Sequence, residues 1–246
     1  MNAVLLPARL QGPLGGSWWL LALTLVMMVL VFLALHLLSA LRAQAERELR
    51  RLYQQDVRLY LERLEHNSRL KLVFRKSVLL LYQLEGYMKL GDDEAIRTLI
   101  AQLDQLRLPP RDKLLFLQDR MSFFVSAGEW EEARASRDDL AAFLRKTKAD
   151  RQEQYQKVIA DADQIIGVYV DRDTSLIPAL RAQAADTADP VQRGVLQYRL
   201  AKLYHFAGDI DMRRVYLKRA AKNLKNTYYA VMIKEALEDP SVLERQ

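Results

Sequence analysis

The chain has 246 residues, half of them hydrophobic and 28% charged, which excludes both a disordered polymer and a chain wholly embedded in lipid. Only nine Gly and seven Pro interrupt it, favouring helix, and the lack of Cys excludes disulfides, thiolate nucleophiles and Cys-ligated metal sites. The net charge of +6 is localised: residues 40–76 carry ten Lys or Arg against five acids, whereas residues 77–246 hold 26 of each sign, a neutral balance that argues against the basic face a nucleic-acid binder needs.

The first element follows a short tail over 1–16 that is expected to be flexible. From Leu10 to Leu41 there is no Asp, Glu, Lys or Arg, and Ser17–Leu38 alone supplies 22 residues. A helix needs about 20 such residues to cross the hydrocarbon core. A transmembrane helix is therefore expected over 17–39. Trp18 and Trp19 stand at one boundary, where indole rings favour the headgroup level. Ala43-Gln44-Ala45 has the small-x-small form of an export cleavage site, but the apolar run far exceeds the ~7–15 residues of an export signal and Arg42 intrudes before the site. An uncleaved anchor is the expectation. Arg9 alone flanks the span on one side, while Arg42, Arg47, Arg50, Arg51 and Arg58 follow it on the other. Positive residues stay inside, so the C-terminal part is expected in the cytoplasm of a single-pass protein at the cell membrane.

A basic amphipathic helix is expected next, over 40–67. Leu49, Tyr53, Val57, Tyr60 and Leu64 recur at helical spacing and form one apolar face. Heptads counted from Leu38 place Glu48, Gln55 and Glu62 at core positions, which does not support a coiled coil. The face is expected to pack on later helices. Its basic residues either meet anionic lipid headgroups or form a solvated surface.

Beyond His66-Asn67-Ser68, a helix N-cap signal, the chain reads as paired helices over 68–240, with a short tail over 241–246. The clearest pair is VLQYRLAKLYHFAGDIDMRRVYLKRAAKNL, in which Gly208-Asp209 makes the turn. Phe124, Gly128 and Ala133 repeat the offsets of Tyr204, Gly208 and Arg213, and Tyr87 and Gly91 do so again with a turn one residue short before Ala95. The turn glycines are 37 and 80 residues apart, the second interval being about twice the first, with a missing junction expected at Asp171–Ser175. Leu200-Ala201-x2-Tyr204, Gly208-Asp209 and Ala220 together resemble the tetratricopeptide repeat, although Arg213 and Leu217 replace that family's Ala and Phe. The resemblance implies an all-α fold, an α-solenoid of about four divergent helix pairs over 68–225 capped by TYYAVMIKEALED. The alternative is a non-repeating helical bundle.

The resemblance also implies a partner-binding groove lined by the first helix of each pair. Ten, six and three residues before Gly91 lie Leu81, Glu85 and Met88; the same offsets give Gln118, Ser122 and Val125 before Gly128, and Tyr198, Lys202 and His205 before Gly208. Ordinary packing or solvent positions are the alternative for these residues.

No catalytic motif accompanies this layout: there is no phosphate-binding glycine loop, no H-E-x-x-H and no G-x-S-x-G. His36, His66 and His205 are scattered along the chain. Asp171-x-Asp173-x-Ser175 resembles the opening of a calcium loop, but Leu176 and Ala182 stand where that loop needs Gly and Glu, so a helix cap is expected instead. The expectation is a non-enzymatic protein without cofactor, metal, nucleic acid or small-molecule substrate, whose partners are the bilayer and an unidentified protein or peptide. A membrane-anchored cytoplasmic scaffold fits best. The alternatives are an extracytoplasmic chaperone or accessory factor, and a structural subunit of a membrane complex.

Overall fold

The computed structural model describes residues 18–146, 152–225, 227 and 229–244, and the expected tail over 1–16 lies outside them. All regular structure among the described residues is helical. By internal contacts the chain divides into two compact units, residues 1–90 and 91–246. The helices Lys76–Leu90 and those before it thus belong with the apolar segment rather than with the later pairs.

In the first unit, α1 spans Trp18–Gln55, 38 residues without Gly or Pro, about 57 Å of helix. Its two ends meet different surroundings. From Trp19 to Leu41 the side chains stand almost all exposed, Phe32 at 69%, whereas Leu49 is buried at 3%. The expected continuous helix over 40–67 is interrupted at Asp56. That residue is extended (φ −152°) and its carboxylate accepts the N–H groups of Arg58 and Leu59 at 3.0 and 3.1 Å. It thereby caps α2, Val57–His66. The chain folds back here, and the Arg63 guanidinium on α2 meets Glu48 of α1 at 2.9 Å. Asn67 then caps α3, Ser68–Val73, through Arg69 N–H, and α4 follows as Lys76–Leu90. Leu49, Tyr60, Leu61, Leu64, Leu70, Phe74 and Leu79 form the core of this unit, each side chain contributing about 1.5–3 kcal/mol by leaving water.

The second unit contains α5 (Asp93–Asp104), α6 (Pro110–Ala127) and α7 (Trp130–Arg145). After residue 151 come α8 (Gln152–Ile165), α9 (Ile177–Asp186), α10 (Pro190–Phe206), α11 (Ile210–Asn223) and α12 (Tyr229–Glu238). α6 packs on α7 and α10 on α11 as tight hairpins. Their turns share one construction. Gly128 and Gly208 have φ of +73° and +74°, and the following N–H reaches back to Phe124 O and Tyr204 O, each at 2.9 Å. Only Gly takes this conformation without steric cost.

The turn after Gly91 (φ +72°) enters the next helix in the same register. Ile96, Ala133 and Arg213 donate to the carbonyls of Asp92, Glu129 and Asp209 at 3.0, 2.9 and 3.0 Å. The equivalent of Ala133 is therefore Ile96 rather than Ala95, and this turn is not short. Ile96 fills its position with a buried apolar side chain, as Ala133 does.

The expected junction near residue 171 has a different build. α8 runs into a π-helical turn, Ile166–Val170, closed by Asp171 N–H to Ile166 O at 3.0 Å. A 3-10 turn, Thr174–Leu176, capped by Asp173, leads into α9 with Pro178 in its first turn. The core here gathers Val168, Leu180, Leu196, Tyr198, Leu200, Leu203, Leu217, Leu224 and Ile233. Residues 241–244, expected within a tail, belong to a 3-10 turn, Pro240–Glu244, that packs on α10 and α12 and buries Leu243 completely.

Candidate functional site

The sequence points to two sets of functional residues, one at the membrane interface and one lining a groove. In the first set, Trp18 starts α1, with its side chain outside the described ones, and Trp19 is exposed. Arg42 is the first charge after the apolar run. Its guanidinium meets Glu46 at 2.9 Å and lies over the Phe74 ring at 5.5 Å. Arg47, Arg50 and Arg51 are exposed on the next turns, Arg51 donating to Gln55 Oε1 at 3.2 Å. One helix of the described chain is thus long and apolar enough to cross a membrane, and none of its apolar window is buried by protein. The cationic residues begin where its packing begins.

The groove residues divide between the two units. On α4, Leu81 is buried, Met88 is half-buried and Glu85 is exposed at the rim of a cavity of about 310 Å³ lined by Glu46, Leu49, Arg50, Tyr53, Tyr60 and Tyr82. Desolvation there holds the Glu85 carboxyl above the ordinary range, offset in part by Tyr53 and Lys89. Lys89 Nζ donates to Tyr53 O at 2.5 Å and sits over its ring at 4.2 Å, tying α4 to α1.

In the second unit, Gln118 is half-buried, Ser122 exposed and Val125 buried. Arg120, on the same helix, is almost enclosed and holds three groups together. It donates to Ser136 Oγ at 3.1 Å and Asp104 Oδ1 at 3.0 Å, and pairs with Asp139. On α10, Tyr198 and Lys202 are both 0% exposed and offer no atom to a partner in this conformation. Lys202 Nζ donates to Leu243 O at 2.6 Å and lies over the rings of Tyr169 and Phe206 at 5.0 and 5.9 Å. Burial, with the Arg172 charge as a lesser cause, pushes its ammonium down to about 7. His205 is half-buried, with Nε2 3.2 Å from Glu244 Oε1. Pro240–Glu244 thus meets two of the positions that the repeat resemblance implies for a groove, Lys202 and His205 on α10. No sequence signal marked this cover beyond the apolar Val242-Leu243 pair following Pro240.

No three His, Asp or Glu side chains among the described residues come together as metal ligands. The arrangement defines a class: a helical chain in which one exposed apolar helix is continuous with a folded helical body. Compared with family models, curated proteins and solved structures, the chain matches none of them.

Proposed function

We propose that the chain is a single-pass membrane-anchored scaffold or adaptor whose helical pairs, tetratricopeptide-like in their turns, hold a partner protein at the cytoplasmic face of the bilayer. One observation carries the reading. The side chains from Trp19 to Leu41 include no Asp, Glu, Lys or Arg and are almost all exposed, while the same helix from Ala45 onward is built into a folded unit. An exposed apolar surface of this extent is costly in water and favourable in lipid.

The mechanism is positioning. An anchor and a partner site on one chain raise the partner's effective concentration at the membrane. The open first-helix positions, Gln118 and Ser122, are the ones through which contact is proposed. Excess Arg on the C-terminal flank supports the cytoplasmic orientation.

Crosslinking and affinity capture from native membranes tests the reading. A soluble protein recovered with the wild type and lost with Gln118→Arg or Ser122→Arg supports it. Recovery of integral membrane proteins alone, lost when Leu20–Leu38 is replaced by an unrelated apolar helix, favours a structural subunit instead.

A further inference from the structure

The corner between α3 and α4 also exposes cations beside a large apolar side chain, the most exposed one among the described residues of the first unit. Between Glu65 and Glu85 the chain has no acid, but it has Arg69, Lys71, Arg75 and Lys76, all exposed. None of the four forms an ion pair with another described residue. In their midst Leu72 is 80% exposed, whereas its neighbours Leu70 and Phe74 are in the core. A leucine so exposed, ringed by free cations, suits an interface that is apolar below and anionic above.

The fold places this corner at one level along α1. After Asp56 the chain reverses, and Arg63 of α2 lies opposite Glu48. α2 is ten residues long, so it retraces about 15 Å of α1. His66 and Asn67 then come near the level of Ala45, and α3 contacts α1 directly. The cation–π contact between Arg42 and Phe74, at 5.5 Å, fixes the end of α3 beside the first charge after the apolar run. Next to it, Lys71 and Lys76 flank a groove of about 480 Å³ floored by Leu64, Phe74, Leu79 and Leu80. Glu65 is the acid on its rim and already accepts the Tyr87 hydroxyl at 2.7 Å.

We infer that Lys71, Leu72, Arg75 and Lys76 form a second membrane contact, in which Leu72 enters the headgroup region and the three cations bind anionic lipid phosphates. The inference rests on the anchor reading, because the level of the corner is set by where α1 leaves the bilayer. Two contacts at separate points restrict the tilt and rotation of the folded unit, which one helix alone leaves free.

The test uses the full chain reconstituted in vesicles of phosphatidylcholine, with and without phosphatidylglycerol. The chain has no Cys, so Leu72→Cys, Val29→Cys and Gln55→Cys each carry one environment-sensitive fluorophore. Gln55 lies about 20 Å farther along α1 than Arg42 and serves as the aqueous reference. In anionic vesicles, a nitroxide-bearing lipid should quench the probe at 72 several-fold more than the probe at 55, and iodide should quench it several-fold less. Adding Lys71→Gln, Arg75→Gln and Lys76→Gln should return both values towards those at 55. A probe at 72 that tracks the one at 55 in anionic vesicles overturns the contact, and equal lipid quenching without phosphatidylglycerol overturns its anionic character. The probe at 29 separates the two readings. If it is lipid-quenched while 72 is not, the anchor stands and the second contact falls; if it is not, both fall.

Discussion

Lys202 Nζ on α10 donates to the carbonyl oxygen of Leu243, 41 residues later, at 2.6 Å, and both residues are completely buried. A buried ammonium is costly unless its protons are satisfied, and this bond fixes the end of the described chain onto the last helix pair.

The Lys202 ammonium is pushed from 10.5 down to about 7. The unfolded chain therefore binds the extra proton between those values. Stability from this residue should rise with pH through that window, by at most about 1.4 kcal/mol per pH unit, with its full cost present below the folded value. Denaturant melts of the detergent-solubilised chain should show this slope in the wild type and lose it in Lys202→Met. An unchanged slope would show that Lys202 is solvated in solution.

The positive φ of Gly128 and Gly208 allows no ordinary side chain without strain. Gly208→Ala should cost about 1–2 kcal/mol, and Gly208→Asn distinctly less, because Asn tolerates the left-handed region. A Cβ at 208 would meet nothing within 4 Å beyond its chain neighbours, so the cost is local to the backbone rather than a clash with the surrounding fold. Thermal melts of the two variants compare them directly.

Asp56 sets the reversal between α1 and α2 through two backbone N–H groups. Asp56→Ala should lose about 1 kcal/mol, and Asp56→Asn most of that loss should be recovered, since the amide oxygen also caps. Hydrogen exchange at Arg58 and Leu59 should accelerate in the Ala variant alone.

Arg120 ties α5, α6 and α7 through Asp104, Ser136 and Asp139. Removing a nearly buried guanidinium from such a set should cost about 2–4 kcal/mol in Arg120→Ala, reduced towards the lower end by solvent around Asp139. Arg120→Lys should not restore it, because one ammonium cannot reproduce the planar fork. Equilibrium denaturation of the three proteins decides.

What the sequence conveyed about the fold follows the range of the interactions concerned. The apolar run needs only composition, and the Gly turns only local backbone chemistry, so both are legible. The break at Asp56 escapes because Leu49, Tyr53, Val57, Tyr60 and Leu64 keep one helical phase across it, and the cap is a single carboxylate within that pattern. Matching the small residues Ala95 and Ala133 misleads because the hydrogen-bond register, not residue size, aligns the turns; Ile96 takes the shared position. The groove offsets misplace Tyr198 and Lys202 because Tyr198 packs on the Tyr229 ring of α12 and Lys202 lies under Leu243, long-range contacts no local pattern announces. A lysine at that spacing reads as solvent-facing until Leu243 is placed over it.

The proposed topology, an uncleaved anchor with the helical pairs in the cytoplasm, is open to a direct test at one residue. The chain has no Cys, and Ser122 is exposed on α6, so Ser122→Cys makes one reporter for it. In intact cells a membrane-impermeant maleimide should leave this residue unlabelled until the membrane is permeabilised, with the full-length protein retained in carbonate-washed membranes. Labelling of intact cells, or release of the protein into the wash, would contradict the account.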